Sequence, residues 1–139
     1  MHFHRLALCL GLFLSGIAYG QTPVQVKSTS NDPVGQRLVY YFKESIRSST
    51  SFQLAISDEL GIQVHIVTVD PSDGNTGYST AYSVVWTWYN PEKIFPIYLS
   101  NNVGVCGANR VRGCAEDLLV LTDKRREDIA KLLKAVSGK

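Results

Sequence analysis

The sequence predicts an α+β protein in which two amphipathic helices cover one face of a four-stranded antiparallel sheet. Helical patterns stand near both ends of the mature chain, with apolar residues recurring every three or four positions. Between them lie four runs of alternating or β-branched residues joined by short turns. Sequential strands with short connections favour a meander. The predicted order is therefore α-β-β-β-β-α, folded as a two-layer sandwich.

The first 20 residues have the pattern of a cleavable secretory signal peptide. Arg5 supplies a positive charge, residues 6–17 form an apolar run, and small residues precede a cleavage site before Gln21. A membrane anchor needs about 20 apolar residues. A lipoprotein signal acylated at Cys9 would place that cysteine after the apolar run, not inside it. We therefore expect an exported protein, periplasmic or extracellular, with no transmembrane anchor after cleavage.

The length and charge of the mature chain limit how many domains it can form and which partners it can bind. Cleavage leaves 119 residues, which suits one domain, and we predict a flexible polar tail at 21–31 followed by a single α+β domain at 32–139. The mature chain carries 13 basic and 12 acidic residues. This near-neutral balance gives no electrostatic reason to expect a nucleic acid partner.

The first helix begins at Asp32, a good N-cap, with Pro33 at the first helical position. Its apolar face recurs every fourth residue: Val34, Leu38, Phe42 and Ile46. The serine- and threonine-rich run at 47–51 ends it, because these side chains offer the backbone competing hydrogen bonds.

Four strands follow, predicted at 52–56, 62–69, 78–89 and 94–99. The turns between them are rich in Asp, Gly, Asn and Pro. Pro96 places the last strand at an edge of the sheet, because proline cannot donate to a strand ladder.

A second helix has apolar residues at helical spacing from Ala115 to Val136. The charged run at 123–128 interrupts this stripe. It is either a solvated turn of one long helix or a break between two helices, and we favour one long helix.

Cys106 and Cys114 are the two cysteines of the mature chain, and an even pair in an exported protein predicts a disulfide. It would join the exit of the last strand to the start of the second helix and stabilise the fold by about 2.5 kcal/mol. A redox pair lacks the usual Cys-x-x-Cys spacing. A metal site lacks further ligands, since His65 is the only mature histidine.

The sequence contains no recognisable catalytic constellation, and we expect no cofactor and no metal. His65 would have to be the base of any hydrolase triad, but no serine has a Gly-x-Ser-x-Gly context. Tyr82, Trp86 and Trp88 share one side of their strand. They form either an aromatic platform for a ligand or a core stripe, and we favour the core because strand aromatics are usually buried.

If Trp86 faces the helices, the opposite sheet face is left open. That face would carry a mixture of polar and apolar side chains suited to a protein partner or a second copy. Its predicted interface residues are His65, Val67, Val85, Thr87 and Tyr98.

In its element order the chain resembles small exported α+β domains of Gram-negative bacteria, such as the N-terminal domain of TolB. Together these features predict a small exported, non-catalytic protein that acts through protein contacts, for example as an accessory subunit of an envelope assembly. The alternatives are an inhibitor or immunity protein, a small envelope hydrolase with His65 as base, and a small-molecule or glycan receptor that uses the aromatic stripe of Tyr82, Trp86 and Trp88.

Overall fold

A computed structural model describes residues 20–72 and 75–138. The predicted signal peptide lies outside the described residues, apart from Gly20. The elements in chain order are β1 (Thr22–Ser30), α1 (Pro33–Ser48), β2 (Phe52–Leu54), β3 (Gly61–Val69), β4 (Ser79–Tyr89), β5 (Ile97–Gly107) and α2 (Val111–Ser137).

The fold is α+β, as predicted, but the sheet is mixed and has five strands in the order β2-β1-β3-β4-β5. Strand β1 pairs in parallel with β2 on one side and with β3 on the other. The antiparallel meander that the sequence predicts is present only from β3 to β5. The predicted order therefore lacked the strand β1. The predicted hairpin between the strands at 52–56 and 62–69 does not form, because β1 lies between them and pairs in parallel with both.

The predicted flexible tail at 21–31 is wrong, because residues 22–30 form the strand β1 between two neighbours. Val24 is fully buried in the core, while Gln25 and Lys27 point to the opposite face. This period-2 alternation is present in the sequence, but the polar composition of the segment favoured its interpretation as a flexible tail. Hydrogen bonds from β2 and β3 order the segment despite its composition.

Strand β5 differs from its predicted bounds of 94–99. It begins at Ile97, directly after Pro96, and runs to Gly107 at an edge of the sheet. Proline ends the ladder because it has no N–H to donate. The asparagine- and glycine-containing second half has weak strand propensity, and pairing with β4 as far as Ser79 imposes the extended conformation there.

Helix α1 follows its predicted pattern. The Asp32 carboxylate accepts a hydrogen bond from the Gly35 backbone N–H at 2.7 Å, which caps the helix. The four residues of the apolar face are all buried: Val34, Leu38, Phe42 and Ile46. They pack against the sheet residues that share the core, including Val64, Val84 and Trp86.

Helix α2 is one continuous helix, which confirms that prediction, although it begins at Val111 rather than near Ala115. Cys114 in its first turn forms a disulfide with Cys106 at the end of β5, with a Cα–Cα distance of 6.3 Å. The disulfide thus joins the last strand to the last helix, as the sequence predicted. All described residues of the helix end from Ala130 onward are exposed.

Candidate functional site

The two helices pack on one face of the sheet, and the register identifies the side chains on the other. Even-numbered residues of β3 and β4, such as Ile66 and Trp86, lie in the core. Odd-numbered residues of the same strands point away from the helices. We call this second surface the open face.

The structure brings the five predicted interface residues together on the open face. His65 lies opposite Val85 in the β3–β4 pair, and Thr87 lies opposite Tyr98 in the β4–β5 pair. Val67 lies two residues beyond His65 on the same side of β3. Their alternation in sequence was the signal that placed them on one face.

Three exposed valines of the open face escaped sequence reasoning. Val69, Val103 and Val105 are 61%, 73% and 67% exposed, and Val67 beside them is 53% exposed. Val67 and Val103 both flank Ser83, and Val69 and Val105 both flank Ala81. These four valines, with Ser83 and Ala81 between them, form one surface, which we call the valine patch. Val103 and Val105 were missed because the second half of β5 was not predicted as a strand.

The other half of the open face is polar, and its groups satisfy one another. The Lys27 ammonium lies 3.0 Å from a carboxylate oxygen of Asp58, in the connection between β2 and β3. The Gln63 side-chain amide donates to Gln25 at 3.0 Å and to Asp58 at 3.3 Å. The Lys27 contact, above all, lowers the pKa of Asp58. This half is a structural network that anchors the connection between β2 and β3 across β1.

His65 lies between the two halves. Partial burial, and secondarily the positive charge of Lys27 in the neighbouring strand, lowers its pKa. A neutral imidazole suits a base, but a catalytic base also needs a group that orients it and a nucleophile. The side chain directly opposite His65 is Val85, and its nearest neighbour on the other side is the cation Lys27. Among the described residues, His65 forms no ion pair with a carboxylate.

Thr87 is buried although it lies on the open face. Its hydroxyl has no hydrogen-bond partner among the described residues. A buried hydroxyl without a partner costs stability.

The aromatic stripe is part of the core, as we favoured from the sequence. Trp86 is 1% exposed, and its indole N–H donates to the Thr122 hydroxyl of α2 at 2.9 Å. Tyr82 and Trp88 pack partly buried against the same core. These residues therefore form no exposed platform.

A shallow polar pocket lies where β1 and β3 end, but its two carboxylates accept hydrogen bonds from other groups of the same chain. Asp32 caps α1 and also accepts from the Thr68 hydroxyl at 2.7 Å. Asp70 accepts from the backbone N–H groups of Ser72 at 2.8 Å and Gly77 at 3.1 Å. These bonds lower the pKa of Asp70. The pocket is therefore a capping and turn structure.

In the part of the chain that the structure describes, no group of three or more His, Cys, Asp and Glu side chains is arranged to hold a metal ion. Neither helix described is apolar enough along its length to span a membrane.

The sequence matches no protein-family profile, and no curated protein is similar enough to count as a relative. Among solved structures, the chain is similar to the rare lipoprotein B from Shewanella oneidensis. The two sequences are 13% identical, the match covers 82% of this chain and 94% of the other, and the TM-score is 0.26. At that score the similarity carries no argument about function.

The fold and the open face together define the class of protein: an α+β sandwich with a disulfide between its last strand and last helix. One sheet face carries the helices, and the other presents a polar network beside a patch of exposed valines.

Proposed function

We propose that this chain is a small exported, non-catalytic protein that acts through protein–protein contacts made by the open face. The partner is another exported or envelope protein, or a second copy of the chain. The observation that carries the proposal is the valine patch, where four valines, each more than half exposed, lie on β3 and β5 on either side of β4.

The chemistry of the open face supports binding rather than catalysis. Apolar side chains that adjoin a polar region are typical of protein interfaces, where an apolar centre is surrounded by a polar rim. Here the valine patch adjoins the network of Lys27, Asp58 and Gln63. His65 faces Val85 and a lysine instead of an orienting carboxylate, so no observation favours the hydrolase.

The test is in-cell crosslinking of the chain with a tag after Lys139, followed by capture and mass spectrometry. Three forms are compared: the unchanged chain, Val67→Lys and Val120→Lys. Val67 lies within the valine patch, whereas Val120 is 68% exposed on α2. The control therefore adds the same charge at an exposed valine away from the open face.

We expect one dominant crosslinked partner that Val67→Lys removes and Val120→Lys retains. Burying a lysine ammonium in an apolar contact is costly unless it is paired. Capture that is equal in all three forms, or no specific capture from any of them, would refute the proposal. A partner lost equally in both variants would also place the contact elsewhere.

A further inference from the structure

Strand β5 is an unusually unprotected sheet edge. It is 11 residues long and, among the described residues, pairs only with β4. The outer side of such a strand presents backbone N–H and C=O groups that another strand can bind. The opposite edge, β2, has three residues, which is too short to offer the same template.

The devices that usually protect an edge are absent from most of β5. Lysines and other charges on an edge strand discourage further pairing, but residues 97–107 contain no charged side chain. Pro96 and the register shift opposite Trp86 and Thr87 affect only the start of the strand. From Ser100 to Gly107 the register with β4 is regular.

A second copy fits this edge by symmetry. A twofold axis perpendicular to the sheet reverses the strand direction and keeps the same face upward, so the two β5 strands would pair antiparallel. Because side chains alternate with a period of two, one residue of β5 must lie opposite its own copy. An uncharged strand can adopt this arrangement without like charges facing each other.

The same symmetry joins the two valine patches. Val103 and Val105 lie on the open face of the edge strand, so the corresponding valines of the second copy would lie beside them. Both pairs of helices would remain on the other side. Strand pairing would therefore be reinforced by apolar contact across the new boundary.

From these observations we propose that two copies of this chain pair antiparallel through residues 100–107 of β5 into one continuous ten-stranded sheet. This inference rests on the proposed function, because it names a second copy as a partner and the β5 end of the open face as the contact. The exposed valines on both sides of the junction then become the centre of a single apolar surface.

The test is sedimentation velocity and equilibrium of the exported chain over a range of concentrations, with Val103→Lys and Val120→Lys as matched variants. We expect a dimer whose dissociation constant Val103→Lys raises at least about tenfold, a change of about 1.4 kcal/mol. With the axis near Val103, the two substituted residues would face each other across the junction with Cβ atoms about 5 Å apart, and like charges directly opposite each other destabilise strand pairing. Val120→Lys should leave the dimer unchanged.

Hydrogen exchange should show concentration-dependent protection of the amides of residues 100–107.

A chain that is monomeric at every concentration would overturn the edge pairing. So would a dimer that Val103→Lys leaves intact, or one without protection of the β5 amides. If a monomeric chain still loses a crosslinked partner through Val67→Lys, the pairing of copies fails while the proposed function stands. A monomer whose different partner is lost through Val103→Lys would assign the β5 edge to that partner instead of a second copy.

Discussion

At the residue scale, the buried threonines Thr87 of β4 and Thr122 of α2 differ in whether the side-chain hydroxyl has a hydrogen-bond partner, and this difference decides their contributions to stability. The Thr122 hydroxyl accepts from the Trp86 indole at 2.9 Å and donates to the Leu118 carbonyl at 2.8 Å. The Thr87 hydroxyl has no partner among the described residues. Replacing each with valine removes the same hydroxyl from a buried site and keeps the branched shape.

We therefore expect different results from the two substitutions. Thr122→Val leaves the buried indole N–H without an acceptor and should lower the free energy of unfolding by about 1–3 kcal/mol. Thr87→Val removes an unpaired hydroxyl and should leave that free energy unchanged or raise it by up to about 1 kcal/mol. Urea unfolding followed by circular dichroism measures both. A loss at Thr87 as large as that at Thr122 would show that the Thr87 hydroxyl is paired.

At the scale of elements, β1 is the segment whose structure departs most from its sequence pattern. It lies between β2 and β3 in the sheet, and its Val24 is fully buried. Its end leads directly into the Asp32 cap of α1, and the Ser30 hydroxyl hydrogen-bonds the Thr68 hydroxyl at 2.6 Å. A segment of this kind is part of the folded core, not an appendage.

Removing residues 21–30 should therefore abolish cooperative folding, because β2 and β3 lose the strand that joins them. The matched control removes the residues after Ile129, since the described residues of that helix end are all exposed. We expect that control to keep a cooperative thermal transition, measured by near-ultraviolet circular dichroism. A chain that begins at Asn31 and unfolds as cooperatively as the intact protein would contradict the role assigned to β1.

At the scale of the whole molecule, the open face couples stability to pH through His65. Burial, and secondarily Lys27, lowers the pKa of His65 in the folded state. The unfolded chain therefore binds this proton more readily, and stability falls as the pH drops from above the ordinary histidine pKa of about 6.5 through the lower folded pKa. The lowered pKa values of Asp58 and Asp70 act in a more acidic range, below their ordinary value of about 3.9.

Acidification from about pH 7.5 to about pH 5 should consequently lower the free energy of unfolding, and His65→Gln should reduce that dependence because glutamine does not titrate. Urea unfolding at both pH values provides the measurement. An identical pH dependence in the two proteins would show that His65 titrates normally in the folded state. The control is Lys27→Gln, which keeps the histidine, removes the neighbouring charge and should weaken the dependence only in part.

Much of the candidate site was predictable, and two of the three valines that escaped prediction did so for the same reason. Alternation along the β3 and β4 segments placed His65, Val67, Val85 and Thr87 on one face, and the register joins them across the two strands. Val103 and Val105 escaped because asparagine and glycine lower the strand propensity around them. Strand propensity depends on the neighbouring strands, and those neighbours are not local in sequence.

What the sequence determined by itself is local. Helix α1 follows from its cap and from apolar residues four positions apart, because helical hydrogen bonds join residues within one turn. The long helix α2 and the spacing of the cysteine pair follow from similarly short-range patterns. Only the tertiary structure decided that residues 22–30 form a strand, that this strand pairs in parallel with two others, and that β5 extends to Gly107. The residues that pair in neighbouring strands are distant in the sequence, as Lys27 and its register partner His65 are. No local sequence pattern predicts which residues pair in this way.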